Sequence, residues 1–378
     1  MERTVLDGVP VYDRHRCRTP AETFRQIEPI LKRVGVTRIA DVTWLDDVGI
    51  PVCQAIRPNA RTLSVSQGKG MTTLHSVVSA CMEALEVWHS EELGPAETVA
   101  PVREMEDRMS CPLSALRLAD RHLLHPGTTL EWSPASVLGT TEETMVPTAL
   151  LRMDSTVRPM WSVPLFEVTS NGLASGNTYG EAVLHGLYEV VERDAMARAG
   201  GGGVRVRSGS IDGPATELLD RFRRAGVGVE VDLATSPTGV VCFVARVFSE
   251  DFPVEFCGSA AHGDPDLALC RALTEAAQSR VAAIAGTRED IGQTVHRRTR
   301  APSRRDAPAA SVELTEVRNG VPAEFGAAAT TEAAVGLLVD RVTASTGLRP
   351  LAVDLTRPDI GIPVVRILAP RLTCPDGY

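Results

Sequence analysis

Three segments with helical periodicity carry polar side chains at one repeated spacing, i, i+4, i+7. The spacing occurs in three trios: Ser79, Glu83 and Glu86; His185, Glu189 and Glu192; Arg271, Glu275 and Gln278. At about 100° per residue, the members of each trio fall within roughly 60° on one helix face. Clustered carboxylates repel one another and are costly to desolvate, so they require a nearby cation. Mg²⁺ binds such oxygens together with the phosphates of a substrate.

Two other interpretations of these acids are open. Glu83, Glu86, Glu189 and Glu192 could be surface acids that pair with neighbouring arginines, although a pattern on three helices favours a shared site. His185 and Glu189 could bind zinc, but no second His–Glu pair or cysteine set stands nearby in the sequence.

Two loops rich in small residues precede two of the helices. SVSQGKG (64–70) resembles a phosphate cradle with Lys69 for charge, but a Walker motif would need Gly at Leu63 and Ser or Thr at Gly70. TSNGLASGN (169–177) leads into a helix N-terminus, where amide groups and the helix dipole favour anions. Beside carboxylates, the loops indicate a nucleotide bound with Mg²⁺.

Arg280, two residues after Gln278, could donate its guanidinium to a phosphate. A lone helix arginine is also commonly a surface residue.

The elements that position these residues mix helices with hairpins. Apolar periodicity predicts helices over 20–34, 74–93, 179–199 and 266–286, and strands over 36–43, 50–58, 229–234, 239–248, 351–356 and 362–369. An α+β fold suits this order better than a strictly parallel one. Residues 94–160 are expected to be an irregular excursion. Residues 294–312 are expected to be an Arg/Pro-rich loop, either solvated or a basic arm for phosphate or an acidic peptide.

Composition excludes several classes of protein. The 378 residues carry a net charge of −9 and only 4% aromatic residues, which argues against general nucleic-acid binding. No apolar run approaches the roughly 18 residues of a membrane span, and the first residues hold no apolar signal segment. The eight cysteines form no CxxC pair, so a reducing cytoplasm is the expected location.

In their order along the chain, these segments resemble the YcaO superfamily, ATP-dependent enzymes that modify peptide backbone amides. The resemblance rests on 37–70, 79–86, 169–195, 274–290 and 361–369, which span nearly the whole chain. It implies a standalone YcaO protein, a single domain over 1–378 with no fused leader-binding domain.

The resemblance also implies a fold and a site. The fold would be the α+β YcaO fold, with mixed sheets and long helices lining a non-Walker ATP/Mg²⁺ site. The Mg²⁺ ligands would be Glu83, Glu86, Glu189 and Glu192. The ATP contacts would be Ser66, Lys69, Ser79, Asn171, Gln278 and Arg280, with Arg16 a further contact from the N-terminal segment.

The implied activity is cyclodehydration of a ribosomally made precursor peptide, giving an azoline or an amidine ring. Two alternatives stay open: a backbone thioamide synthetase with a TfuA-like partner, and an ATP-binding accessory protein without peptide turnover. A leader-binding partner and a homodimer are compatible with the resemblance. Two departures from the family pattern matter. Val87 follows Glu86 where the family usually has Arg, so the Arg salt bridge or phosphate contact is missing or supplied elsewhere, and the chain ends APRLTCPDGY rather than in the PxPxP tail of many azoline-forming members.

Overall fold

The longest helices form where apolar periodicity predicts them. The structure, a computed structural model, describes residues 13–156, 163–200, 202–291 and 310–375. The helices in these ranges are α1 (Pro20–Leu31), α2 (Thr73–Glu91), α3 (Val102–Met105), α4 (Tyr179–Ala199), α5 (Ala215–Arg224), α6 (Pro265–Ala285), α7 (Leu314–Gly320), α8 (Ala323–Ala327) and α9 (Thr331–Thr346).

The strands pair mainly as antiparallel neighbours. They are β1 (Arg38–Asp41), β2 (Val52–Ile56), β3 (Val65–Lys69), β4 (Thr98–Pro101), β5 (Thr129–Val137), β6 (Glu143–Pro147), β7 (Leu173–Ser175), β8 (Val204–Val206), β9 (Gly228–Ala234), β10 (Val241–Phe248), β11 (Phe256–His262), β12 (Ser311–Val312), β13 (Leu351–Asp354) and β14 (Val364–Leu368). The mixed α+β architecture predicted from the sequence is confirmed.

Local capping chemistry fixes the ends of the helices. Thr19 and Glu22 form a reciprocal capping box at the start of α1. The Asp264 carboxylate accepts the amide hydrogens of residues 266 and 267 at the start of α6, and Gly286 ends that helix with φ +60°.

The chain divides into two compact units. Unit 1 comprises Met1–Pro58, Leu63–Ala84 and Ala195–Ala327; unit 2 comprises Asn59–Thr62, Leu85–Asp194 and Ala328–Tyr378. The boundaries fall inside α2 and α4, so the predicted site residues are distributed over both units. The single-domain organisation stays a prediction.

Unit 1 contains a three-stranded sheet, β1-β2-β3, and a five-stranded sheet, β11-β10-β9-β8-β12. Helix α6 packs against β11 and β10, and also against β3 and β2. Phe222, Phe243 and Leu269 are fully buried in the core between α5, α6 and the five-stranded sheet. Burial of this apolar surface holds α6 in place.

Two glycines let the helices of unit 1 approach the strands at backbone distance. A Cβ on Gly68 of β3 would lie 2.1 Å from the amide nitrogen of Ala80 on α2. A Cβ on Gly258 of β11 would lie 2.1 Å from the amide nitrogen of Ala276 on α6. Both positions therefore exclude every larger residue unless the helix moves.

Unit 2 is built on a six-stranded sheet in the order β4-β5-β13-β14-β7, with β6 also paired to β5. Trp132, Leu151 and Val364 are among its buried residues. Arg366 of β14 is paired in register with Leu173 of β7, the strand that follows the 169–172 turn and precedes α4.

Three sequence expectations differ from the structure. SVSQGKG (64–70) is largely strand β3 rather than a loop, because it pairs along its length with β2. The excursion over 94–160 is not irregular: it supplies β4, β5 and β6, and the alternating burial of β5 shows a strand half-buried on one face. The end of the 294–312 loop, Ser311–Val312, is strand β12, while 292–309 lie outside the described residues.

Candidate active site

In unit 1, Glu83 lies among charged side chains from two other segments. Burial raises its pKa to about 7, against the opposing charges of Arg288 and Lys69 and an amide hydrogen bond from Gln67. The carboxylate of Glu275 adds to the rise. We call Glu83, Glu275, Lys69 and Arg288 the unit 1 charge cluster. A carboxyl group with a pKa near 7 is present in both its neutral and its charged form at neutral pH.

Lys69, the last residue of β3, forms an ion pair with Glu275 on α6. Both side chains are partly exposed, so a ligand can reach them from solvent. This ion pair connects the lysine that the sequence predicts as a phosphate contact with α6, the helix that carries Arg271, Glu275 and Gln278.

Arg288 is a cluster member that the sequence analysis did not select. It lies two residues beyond Gly286, where the chain turns after α6, and its guanidinium pairs with Asp290. The neighbouring Glu289 accepts a hydrogen bond from Ser64 just before β3. Its position just after a helix-ending glycine and next to two acidic residues was the one feature of the sequence that could have indicated a member of this cluster.

Two glutamines of unit 1 each have a buried side-chain atom without a hydrogen-bond partner among the described residues. These atoms are Oε1 of Gln278 on α6 and Nε2 of Gln67 on β3. A buried acceptor and a buried donor left unsatisfied near carboxylates are costly. Together with the raised pKa of Glu83, they fit a site that takes a hard cation and a polar ligand such as a nucleotide.

The two predicted serines lie on the elements that carry the cluster. Ser66 is buried in β3, three residues before Lys69, and Ser79 is half-buried on α2, one turn before Glu83. Their roles as ATP contacts stay predictions.

Arg280 has partners of its own inside unit 1. Its Nε donates to Asp46 at 3.0 Å, Nη1 to Ser249 at 2.7 Å and Nη2 to Asp251 at 3.2 Å. Its side chain is only 3% exposed and lies over the ring of Phe252. These contacts engage all three nitrogen atoms of the Arg280 guanidinium inside the protein, and its predicted ATP contact stays a prediction.

Arg16 belongs to a separate group of charges around Asp13. Its Nε lies 3.9 Å from the Asp13 carboxylate, which Arg271 also contacts at 2.8 Å. Its predicted ATP contact stays a prediction.

His15, His262 and Asp13 lie close enough together to suggest a metal site. The Asp264 amide donates to Nδ1 of His262, which leaves the proton of the neutral ring on Nε2, the nitrogen that faces Asp13. A protonated nitrogen cannot bind a metal, and burial lowers the pKa of His262 to about 3, so the ring stays neutral. The contacts of Asp13 with His262 and Arg271 instead attach the N-terminal segment to the rest of unit 1.

In unit 2, Glu86 accepts hydrogen bonds from the amide and the hydroxyl of Ser175 at 2.8 and 2.6 Å. Glu189 accepts the Gly172 amide hydrogen at 3.3 Å. Glu192 is 9% exposed and pairs with Arg193 at 3.1 Å. The carboxylates therefore point to backbone and cationic groups of the 169–177 region and of α4, and their metal roles stay predictions.

Asn171 lies in the turn before β7. Its amide hydrogen is donated to Thr169, and its buried Oδ1 has no partner in the described part of the chain. An unused acceptor at this position is compatible with the predicted contact to a nucleotide.

A membrane-spanning segment is absent from the helices that the structure describes, since none combines the necessary length with apolar character.

In unit 1, carboxylates lie near a lysine and an arginine, an arrangement compatible with a hard cation bound together with an anionic ligand. A model of the YcaO cyclodehydratase family, described as ATP- and Mg²⁺-binding, matches residues 67–373. The chain belongs to the YcaO family. This confirms the family, the fold and the cofactors ATP and Mg²⁺ that the sequence predicts, and it supports an ATP-dependent enzyme.

Relatives cover the chain almost completely. A Mycobacterium tuberculosis protein is 39% identical over 371 residues, which is 95% of this chain and 82% of the relative. A Rhizobium leguminosarum bv. trifolii protein described as lying in the tfuA 3′ region is 34% identical and covers 96% of this chain and 90% of the relative.

Solved structures share the fold. YcaO from Methanopyrus kandleri, bound with AMPPCP and Mg²⁺, is 26% identical with a TM-score of 0.73 and covers 96% of this chain and 94% of that one. A heterocyclase in complex with substrate and cofactor has a TM-score of 0.76 at 24% identity. It covers 99% of this chain, which spans only 55% of the heterocyclase's length.

Lys69→Ala should raise the KM for ATP by about ten- to a hundredfold, because the variant cannot make the charge-assisted phosphate contact that the sequence predicts for Lys69. The chain contains only two lysines, and exposed Lys32 at the end of α1 provides the matched control Lys32→Ala. Steady-state ATP hydrolysis measures both variants. An unchanged KM in Lys69→Ala would remove this lysine from the phosphate site. Labelling with a lysine-reactive ATP analogue gives a second readout, since a modified peptide contains either residue 69 or residue 32.

Proposed function

We propose that this protein is an ATP- and Mg²⁺-dependent cyclodehydratase acting on a ribosomally made precursor peptide. It phosphorylates a backbone amide oxygen and eliminates phosphate, forming an azoline or an amidine ring. The observation that carries the proposal is the unit 1 charge cluster, in which Glu83 with its raised pKa lies beside Lys69 and Arg288 in a chain of the YcaO family.

The physical need for ATP comes from the amide itself. An amide oxygen is a very poor leaving group, and a phosphorylated oxygen leaves readily. ATP would supply the phosphoryl group, and the bound Mg²⁺ would neutralise part of the negative charge on its oxygens. The protein then has mainly to position the reactants and to stabilise charge.

The residues of unit 1 can perform this positioning. Lys69 and Arg288 would orient phosphate oxygens by donating hydrogen bonds, and Glu83 would hold the cation after releasing its proton. Gln278 and Gln67 would direct their unused polar atoms to the nucleotide. Ser66 and Ser79, which lie on the same two elements, complete the proposed ATP contacts of this unit.

The carboxylates of unit 2 have a proposed metal role as well. Glu86, Glu189 and Glu192 would exchange their present amide, hydroxyl and arginine partners for Mg²⁺ in the loaded protein. Asn171 would offer its unused oxygen to the nucleotide.

The nucleophile determines the product. A Cys, Ser or Thr side chain of the precursor gives an azoline, and a backbone amine gives an amidine ring. In both cases one water is lost from the peptide, with its oxygen carried away on phosphate.

A second function is favoured by one specific observation. A relative 34% identical over nearly the whole chain is described as lying in the tfuA 3′ region. This favours, as the alternative, a backbone thioamide synthetase in which sulfide replaces the phosphorylated oxygen with a TfuA-like protein as partner. An accessory ATP-binding role without peptide turnover is the remaining alternative, and a cytoplasmic homodimer is part of the proposal.

Intact-mass spectrometry of a precursor incubated with this protein, ATP and Mg²⁺ tests the proposal. We expect the precursor to lose the mass of one water per site without added sulfide. A gain equal to replacing oxygen by sulfur, seen only with sulfide, would support the thioamide alternative. Reactions without ATP, and with Glu83→Gln, are the controls. An unmodified peptide with a partner supplied and ATP bound would contradict both reactions and favour the accessory role.

A further inference from the structure

Unit 2 contains a buried arginine whose donors are only partly used. Arg366 of β14 is 3% exposed, and its Nη2 donates to the carbonyl oxygens of Thr169 and, at 3.4 Å, Leu150. Within the described ranges, Nε and Nη1 of this guanidinium meet no acceptor. Burying a cation with unsatisfied N–H groups costs several kcal/mol, so these donors need a ligand.

The charge of Arg366 is retained in this setting. Burial lowers its pKa to about 10, and the nearby carboxylate of Glu189 opposes that fall. The group therefore stays a cation at neutral pH. Glu189 is itself engaged by the Gly172 amide, so it compensates the charge only in part.

A second arginine of unit 2 also has a donor without an acceptor. Arg117 pairs through Nη2 with Glu167 at 2.7 Å, and its buried Nη1 has no acceptor among the residues described. Both guanidinium groups contact the same short segment, since Arg117 pairs with Glu167 and Arg366 donates to the carbonyl oxygen of Thr169, two residues further along. The positive charge of Arg117 also lowers the pKa of Arg366. Each guanidinium group thus has one carboxylate near it, Glu167 or Glu189, and still carries buried N–H groups without an acceptor.

Cys374 lies beside both arginines but cannot serve as their anionic acceptor. The amide and hydroxyl of Thr373 donate to Asp194 at 2.9 and 2.8 Å and fix the tail here. Burial raises the pKa of the Cys374 thiol despite a hydrogen bond from Arg117, so at neutral pH it is uncharged.

We propose that Arg366 and Arg117 form an oxyanion-binding site in unit 2, with three unused donor nitrogen atoms for one small phosphate or carboxylate. The anion fills the donors Nε and Nη1 of Arg366 and Nη1 of Arg117. A water molecule has only two acceptor positions, whereas one oxyanion can accept from all three nitrogen atoms at once. If Glu189 binds Mg²⁺ as proposed above, its charge is no longer available to Arg366, and the site then attracts the anion more strongly.

The test measures the thermal unfolding of the full-length protein saturated with AMPPCP and Mg²⁺, so that the nucleotide site is filled. Inorganic phosphate should then raise Tm by about 2–4 °C at tens of millimolar, as expected for a ligand of millimolar affinity. Arg117→Gln should abolish the rise. Its side chain is about a quarter exposed, so this variant should keep the fold even if Arg366→Gln does not.

Arg357→Gln is the matched control, because it removes a unit 2 arginine that is exposed and paired with Asp359. It should keep the phosphate effect. Acetate in place of phosphate distinguishes the two classes of anion. A higher Tm with acetate alone assigns the site to a carboxylate, and a higher Tm with phosphate alone assigns it to a phosphate. Absence of a rise with either anion in the wild type, or an equal rise in Arg117→Gln, overturns the proposal. Since the readout does not use turnover, failure of the proposed reaction would leave this result intact.

Discussion

Glu83→Gln is expected to reduce ATP hydrolysis by at least about a hundredfold while the protein stays folded. The amide keeps the size of the carboxyl group but cannot carry the charge that a cation needs. Steady-state hydrolysis in the presence of Mg²⁺ measures the loss, and Glu104→Gln, an exposed acid on α3, is the control. Normal turnover in Glu83→Gln would refute its role at the metal.

The same substitution should change the pH dependence of stability in the absence of metal. The pKa of Glu83 rises from 4.5 to about 7 on folding, so the wild type loses stability as the pH rises through that interval. Glu83→Gln removes the titrating group and should be the more stable protein at pH 8, by up to about 3 kcal/mol. At pH 4 the two proteins should be equal. Urea unfolding at both pH values measures the difference, and equal stability at pH 8 would show that the carboxyl is not held in this environment.

Arg280→Ala is expected to destabilise the protein by about 3–5 kcal/mol, because it leaves buried Asp46 without its cationic partner. Urea unfolding at low temperature measures the loss. Arg288→Gln should show the opposite pattern, with an increased KM for ATP and a small change in stability, since its partner Asp290 is exposed.

Arg280→Lys separates the two roles of this position further. Lysine keeps the positive charge but cannot donate to Asp46, Ser249 and Asp251 at once. It should lower stability without changing the KM for ATP. A wild-type stability combined with an increased KM would instead establish Arg280 as a phosphate contact.

Helices were more predictable from the sequence than the strands between them. The predicted helix over 179–199 coincides with α4, because apolar periodicity and a following glycine are local signals. Strand β3 was missed within 64–70, since small residues are typical of loops and its pairing with β2 is decided by distant residues. The long strand β5 was hidden by Pro134 inside it.

The site was predictable where one helix face determines it. Glu83 and Glu275 follow from the i, i+4, i+7 spacing, and the structure places both in one charge cluster. Arg280 lies two residues after Gln278, about 200° around α6, so it faces away from Gln278 on the helix, and its predicted ATP contact stays a prediction. The position of Arg288 depends on the direction that the chain takes after Gly286, which periodicity does not describe.

The glycines at 68 and 258 have a consequence for how this protein can change by mutation. Neither residue carries charge, yet each determines how closely a helix approaches its strand, and that helix bears a carboxylate of the unit 1 charge cluster. A single added methyl group would have to displace a whole helix rather than rotate one side chain. The distances between the charged groups therefore depend on the absence of a side chain at these two positions. Gly68→Ala or Gly258→Ala should disturb the charge cluster although neither removes a charged residue.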